Sequence, residues 1–424
     1  MTKTIVYKFG GASVKDAPAL KNLADILRNR LRNNLVIVIS AMGKSTNSLE
    51  GILARKLEGG DFSQNCTIIK QYHREICESL FPEDHVVFAQ LDNYFTQLLN
   101  DLAKPLSREN YDEYYDRIVG YGELISSRIV MEYLCQVGVI VLWQDARELI
   151  RTTSDFRFAK IDFGKTRKNC QNQLKPNLEK FPVLTQGFIG SDASGRPTTL
   201  GREGSDFTAA ILATSLDAVS VTIWKDVPGV LNADPKIFPD TKLFPELDYR
   251  QAAEMTYYGA SVIHPKTIKP LANAGIPLFV KSFLNPEEGG TKIHGAAEPN
   301  YIPTIVLKRD QILVSLKVTD FTFIEEKHIY FVYEQLQLLK LRVNMLQTSA
   351  ISISIVIDLQ LFKLEQLIEK MRREFEVRYN EGLELLTILH PDAHTISSNI
   401  SGFEVLLEQT TRTTFQVVRK VQIS

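Results

Sequence analysis

Short runs of apolar, largely β-branched residues at 5–9, 35–40, 137–143, 183–189, 219–224 and 277–282 alternate with stretches of helical periodicity along the first part of this chain. Each run is too brief for a helix and is apolar at successive positions, which is how strands buried on both faces read. Helical patterns lie between them at 17–31, behind Asp16 and Pro18, and at 117–136, 207–216 and 249–258. Such alternation leaves few choices: an α/β fold with a mostly parallel central sheet covered by helices on both faces. Ligands of open α/β sheets bind beyond the carboxyl ends of the strands. Gly10, Ser40, Gly190 and Asp226 fall at such ends, so one crevice is expected to gather them. Residues 49–116 carry helical texture without strand runs and read as an inserted helical subdomain.

Two strand exits also carry the most specific chemistry: KFGGASV at 8–14 and TTLGREGSDFTAA at 198–210. Each joins a cation to closely spaced glycines, whose backbone N–H groups approach phosphate oxygens without a Cβ in the way, and a helix N-terminus adds partial positive charge. A phosphoryl-transfer site is the hypothesis these residues support. The P-loop spacing is absent, and the nearest dinucleotide candidate, Gly120, Gly122 and Ile125, lacks its third glycine.

Composition removes several alternatives. Forty-nine basic against fifty acidic residues leave a net charge of −1 and no field to attract nucleic acid or an anionic membrane. The 424 residues, 44% of them hydrophobic, suit roughly two to four domains with ordinary cores. Cys66, Cys77, Cys135 and Cys170 are scattered without a CxxC pair, which argues against a zinc site or a disulfide framework. No targeting leader and no apolar run of membrane-spanning length is read, so a cytoplasmic location is expected.

Beyond residue 292 the texture changes. Strands are read at 312–318, 342–346, 351–357 and 376–379, with helices at 325–339 and 361–373, a βαββαβ order. Further strands are read at 383–389, 404–409 and 414–418, with too little chain between them for a usual helix.

The ordered motifs KFGGASV, VISAMGKSTNSL (38–49), GELISSR (122–128), TQGFIGSD (185–192), TTLGREGSDFTAA, KDVPGVLNADPK (225–236) and AEMTYYGASVIHP (253–265) resemble those of the aspartate kinases, a branch of the amino-acid kinase superfamily. The resemblance implies a three-layer αβα catalytic domain over 1–295, an ACT-like regulatory domain over 305–380 and a partial second ACT-like unit over 381–424. It implies transfer of a phosphoryl group from ATP, carried with Mg²⁺, to the side-chain carboxylate of L-aspartate, the entry to lysine, threonine and methionine biosynthesis. The nucleophile is already an anion, so such a site needs cations and N–H donors rather than a general base.

Residue by residue, the resemblance makes Lys8 the charge-neutralising cation, with Gly10 and Gly11 beside it and Asp206 orienting the cationic groups. Arg202 matches the residue that grips the substrate α-carboxylate, and Glu123 the acid that receives the α-ammonium. Ser40, Thr46, Phe188 and Ser205 match further substrate contacts. Lys225, Asp226, Leu231, Lys236 and Ser261 fall on nucleotide-side positions. Asn344, Thr348 and Ser349 fall where a lysine or threonine effector binds. A homodimer or dimer of dimers is implied, as is a monofunctional enzyme without an appended dehydrogenase.

Three departures stand out. Ser261 replaces a usual lysine, Leu231 a usual tyrosine, and Glu203 a usual glycine. Lys225 is read as supplying the charge that Ser261 does not, and Glu203 as pointing away from the phosphates. The departures keep open a kinase-derived amino-acid sensor with little turnover, and the rival among enzymes is a kinase for a related acid such as glutamate or acetylated glutamate.

Overall fold

The computed structural model describes residues 3–260, 263–298, 300–319 and 322–421. Two compact units divide the chain: Met1–Val230 with Leu243–Ala253 and Val262–Pro299, and Leu231–Lys242 with Glu254–Ser261 and Asn300–Ser424.

In the first unit, strands β1 (Ile5–Phe9) and β2 (Leu35–Ile39) are buried at every position. They pair in parallel at the centre of an eight-stranded sheet. The others are β3 (Leu142–Gln144), β4 (Val183–Gln186), β7 (Ser220–Lys225), β8 (Glu246–Leu247), β9 (Leu278–Ser282) and β10 (Thr291–Ile293), while β5 (Ile189–Ser191) and β6 (Pro197–Thr199) form a separate antiparallel pair. The order β3-β4-β2-β1-β7-β9-β10-β8 is parallel except between β9 and β10.

Helix α1 (Ala17–Arg28) starts as its sequence dictates, with the Asp16 carboxylate accepting the Ala19 N–H and Pro18 in the first turn. The inserted region consists of α2 (Ser45–Leu57), α3 (Ser63–Glu78) and α4 (Val86–Leu102). Its α4 buries Val87, Leu91, Phe95, Leu98 and Leu102, a stripe at helical spacing. Helix α5 (Tyr111–Gln136) begins earlier than the sequence pattern indicates and is buried almost all round from Tyr114 to Leu134. It runs to Gln136, and its turn at Gly138 (φ +84°) delays β3 to Leu142. Short helices α6 (Ala146–Leu149), α7 (Phe163–Asn169) and α8 (Lys175–Leu178) precede β4, and α9 (Gly204–Ser215), α10 (Tyr249–Tyr258) and α11 (Pro265–Ala274) follow β6. No described helix is long and apolar enough to cross a membrane.

The second unit is built on a six-stranded antiparallel sheet of β11 (Thr304–Val318), β12 (Val343–Thr348), β13 (Ser352–Asp358), β14 (Phe375–Leu389), β15 (Phe403–Thr410) and β16 (Thr414–Val421), in the order β12-β13-β11-β14-β16-β15. Helices α12 (Glu326–Leu338) and α13 (Leu361–Met371) cover one face through Val332, Leu336, Leu364 and Leu367, packed on Ile312, Val314, Ile353 and Ile355. The expected βαββαβ order is therefore present. The boundary expected at 380 and 381 falls inside β14, a single strand paired with β11 on both sides of that point. Residues 304–308 of β11 pair with 385–389, so the later part of the sheet includes a strand segment from upstream. Helix α14 (Ala393–Ile400), capped by Asp392, fits in the stretch read as too short for one. Residues 231–242 cluster here rather than with the eight-stranded sheet, and Ile305 N–H donates to Asn232 O at 2.7 Å and Asn232 Nδ2 to Pro303 O at 2.9 Å.

Candidate active site

Beyond the carboxyl ends of β1 and β2 lies a cavity of about 560 Å³ in the first unit. Lys8 and Gly11 reach it from β1, and Ser40 and Thr46 from the exit of β2. Gly11 is required there: a Cβ would lie 2.8 Å from Ala41 O and 2.9 Å from Gly43 O, so only glycine lets the two strand exits abut. Gly10, next to it, is half-buried, and its carbonyl accepts the Ser13 N–H that starts the following turn.

Lys8 is buried, 6% exposed, and does not snorkel to solvent. Its Nζ lies 2.6 Å from Asp206 Oδ1, while Lys225 Nζ approaches Oδ2 at 3.5 Å. Asp206 is fully buried in the first turn of α9, where a carboxylate is also favoured by the helix dipole. Burial pushes its carboxyl up, but Lys8 and then Lys225 overcome this and hold it below the usual carboxylate range. Two cations thus share one buried anion, leaving one net positive charge at the strand ends.

Glu123 presents the opposite case. It lines the cavity from α5, is 3% exposed, and its Oε2 has no hydrogen-bond partner among the described residues. Burial pushes its carboxyl up to about 8, against backbone groups of Glu123 and Ala41 that draw it down. Arg202 lines the same cavity, exposed and without an ion pair or hydrogen bond among the described residues. A carboxylate lacking a cation and a guanidinium lacking an anion therefore face one space.

Phe188, half-buried at φ +70°, both packs on the core and lines the cavity, and its N–H donates to Thr208 Oγ1 at 2.9 Å. Ser205 lines it from the start of α9. Glu203, exposed at φ +56°, also lines it. Gly190 does not, being buried in β5 against Ile150, because the main-sheet strand before it already ends at Gln186.

Asp226 follows β7 and is exposed. Leu231 and Lys236 belong to the second unit, half-buried and exposed respectively. Ser261 lies outside the described residues. In the second unit, the Asn344 side chain is already committed: its Oδ1 accepts from Lys308 Nζ at 2.8 Å and its Nδ2 donates to Gln311 Oε1 and Asp358 Oδ1 at 2.8 Å each. Thr348 and Ser349 are exposed.

The amino acid kinase family model matches residues 3–282. Lysine-sensitive aspartokinase 3 of Escherichia coli (strain K12) is 33% identical over 401 residues, covering 92% of this chain and 88% of that protein. The chain belongs to the aspartokinases. Chloroplastic aspartokinase 1 of Arabidopsis thaliana is 30% identical over 95% of this chain and 73% of its own length. Among solved structures, E. coli aspartokinase III in complex with aspartate and ADP, in the R-state, superposes with a TM-score of 0.83 at 28% identity, covering 99% of this chain and 96% of that one. The same enzyme with lysine and aspartate, in the T-state, gives 0.81 at 29% identity over 98% and 96%.

Other cavity residues were missed from sequence. Asn47 sits inside a recognised motif, and Tyr115 occupies the same helix as Glu123 two turns upstream, a spacing that could have found it. Tyr115 donates its hydroxyl to Glu50, also in the lining. Arg157 and Phe158 come from a segment with no strand or helix signal and gave no cue.

Proposed function

We propose that this cavity holds L-aspartate with its α-ammonium at Glu123 and its α-carboxylate at Arg202, leaving the side-chain carboxylate to meet ATP near Lys8. One carboxylate oxygen attacks the γ-phosphorus, the bond to the ADP oxygen breaks, and 4-phospho-L-aspartate and ADP result. The observation that carries this reading is Glu123, a buried carboxylate with one oxygen unpartnered. Such a group is costly without a cation, and the ammonium of an amino acid supplies one.

Lys8 neutralises charge on the transferring phosphoryl group, and the Gly10 and Gly11 N–H groups with the N-terminus of α9 complete its surroundings. Asp206 keeps Lys8 and Lys225 together and in place. Ser40, Thr46 and Ser205 offer hydroxyls to the substrate, and Phe188 a wall. ATP brings Mg²⁺ as its phosphate complex. Among the described residues no cluster of three or more His, Cys, Asp or Glu is placed to hold a metal, so no protein ligand set is assigned. On the nucleotide side Lys225 is assigned with Asp226, Leu231, Lys236 and Ser261 by family likeness.

An acylated amine carries no cation for Glu123, which favours a free amino acid over acetylated glutamate. The test is kinetic: ADP formation should depend on added L-aspartate, and Glu123→Ala and Arg202→Ala should raise the apparent KM for aspartate far more than for ATP. ADP release indifferent to aspartate would favour the sensor alternative.

Likeness to the lysine-bound relative makes lysine the effector to titrate first. With the Asn344 amide committed and the Ser349 hydroxyl engaged with Ser352 Oγ at 2.7 Å, the exposed Thr348 is the expected effector group to test first. A homodimer through the second unit goes with this reading, supported by the exposed Tyr330 and Tyr333 of α12 and Phe362 of α13. Sedimentation checks it. Soluble substrates fit a cytoplasmic location. The second unit is read as two ACT-like modules, residues 304–308 completing the sheet of the later one.

A further inference from the structure

We propose that Asp116 is a positioning residue for the aspartate clamp: from inside α5 it fixes the backbone that presents Arg202 to the substrate α-carboxylate. The proposal rests on the reading of Arg202 given above.

Asp116 is fully buried. It is occupied by hydrogen bonds rather than by a cation: Oδ2 accepts the N–H of Arg157 at 2.9 Å and that of Thr199 at 2.8 Å, and Oδ1 accepts the Thr199 hydroxyl at 2.6 Å. One side chain therefore ties α5 to two other segments of the cavity wall, the 157–158 loop and the end of β6.

Arg202 follows closely on Thr199, and its own side chain is held by nothing among the described residues. Its placement is set by backbone alone. That backbone has little freedom: Leu200 N–H donates to Phe188 O at 2.9 Å, and Gly201 sits at φ +74° against the loop. A Cβ on Gly201 would lie 3.1 Å from Arg157 O and 3.2 Å from the Phe158 ring, so the loop and the approach to Arg202 move together. Arg157 itself is at φ +68°, a conformation that non-glycine residues keep only where the surroundings impose it. The bond from its N–H to Asp116 is such an imposition.

Glu123 lies about two turns further along α5, on the same face. One helix thereby sets both ends of the clamp: Glu123 by contact, and Asp116 through the segment leading to Arg202.

A double-mutant cycle between Asp116→Ala and Arg202→Ala tests this. Asp116→Ala should raise KM for aspartate on the order of tenfold or more. KM for ATP should stay within about twofold of the parent, since the defect is confined to the amino-acid clamp. In the Arg202→Ala background the added effect should shrink to about twofold or less. Asp116→Asn, whose amide oxygen still accepts both N–H groups, should recover aspartate KM to within about threefold of the parent. Equal effects of Asp116→Ala in both backgrounds would overturn the proposal, as would parallel rises in both KM values. If Asp116→Ala does not fold, Thr199→Val carries the same cycle by removing only the hydroxyl bond. A rise of about threefold that vanishes beside Arg202→Ala supports the proposal, and an equal rise in both backgrounds overturns it. Arg202→Ala with unchanged aspartate KM would instead sink the clamp reading and this inference together.

Discussion

A polar network of the second unit and the cavity of the first hold their polar groups in opposite ways. In the second unit, Lys308, Asn344, Gln311 and Asp358 are hydrogen-bonded to one another. In the first unit, Glu123 Oε2 and the Arg202 guanidinium face a cavity without a partner among the described residues. A satisfied network specifies a fold, whereas a buried carboxyl and a guanidinium without partners suit the two ends of a zwitterion. The difference separates stability from function, and mutations should separate them too.

The largest effect is expected at Lys8. Lys8→Ala should lower kcat on the order of a thousandfold, as loss of a preorganised transition-state contact does. It should also destabilise the fold, since Asp206 would keep only Lys225 at 3.5 Å. Steady-state kinetics with thermal melting reads both, and near-normal turnover would break the contrast at its strongest point.

Next is Glu123→Gln. It should raise KM for aspartate by roughly ten- to a hundredfold while raising the melting temperature of the ligand-free protein. The sign follows from proton binding. The folded carboxyl, at about 8, holds a proton that the unfolded chain releases above its ordinary value of 4.5. Stability is fully present below pH 4.5 and falls as pH rises towards 8, and Gln removes that loss. A variant that loses both affinity and stability would mean that Glu123 belongs with the closed networks.

His73 sharpens the comparison from the other side. Buried against Ser45, its ring is pushed down to about 4 by burial. The unfolded chain binds the proton first, so this contribution is complete above pH 6.5 and is lost as pH falls towards 4. His73→Phe should flatten the acid limb of a stability-against-pH curve with aspartate KM changed less than about twofold. The smallest effect is expected at Asn344→Ala, about 1–2 kcal/mol of stability in denaturant unfolding. Its basal kcat should match the parent.

The sequence made the αβα layering and the strand exits readable because apolar runs and glycine pairs are local signals. It also named Lys8, Glu123, Arg202 and Asp206, since each sits within a contiguous motif. What stayed hidden depends on distant segments meeting. Arg157 lines the cavity while its N–H donates to Asp116 and its guanidinium lies over the Tyr115 ring, contacts between segments with no local pattern in common. That 304–308 pairs with 385–389 across one continuous strand was equally hidden, because the two segments lie some eighty residues apart. Leu231 and Lys236, read with Lys225 from one resembling motif, cluster with the second unit, a grouping that no local pattern shows.

The central claim is that Glu123 waits, buried and protonated, for an ammonium group. Calorimetric titration of aspartate at pH 7 in buffers of different ionisation enthalpy measures it directly. The account predicts release of nearly one proton per aspartate bound, from a carboxyl at about 8, and none in Glu123→Gln. Binding with no proton released by the parent protein would contradict it.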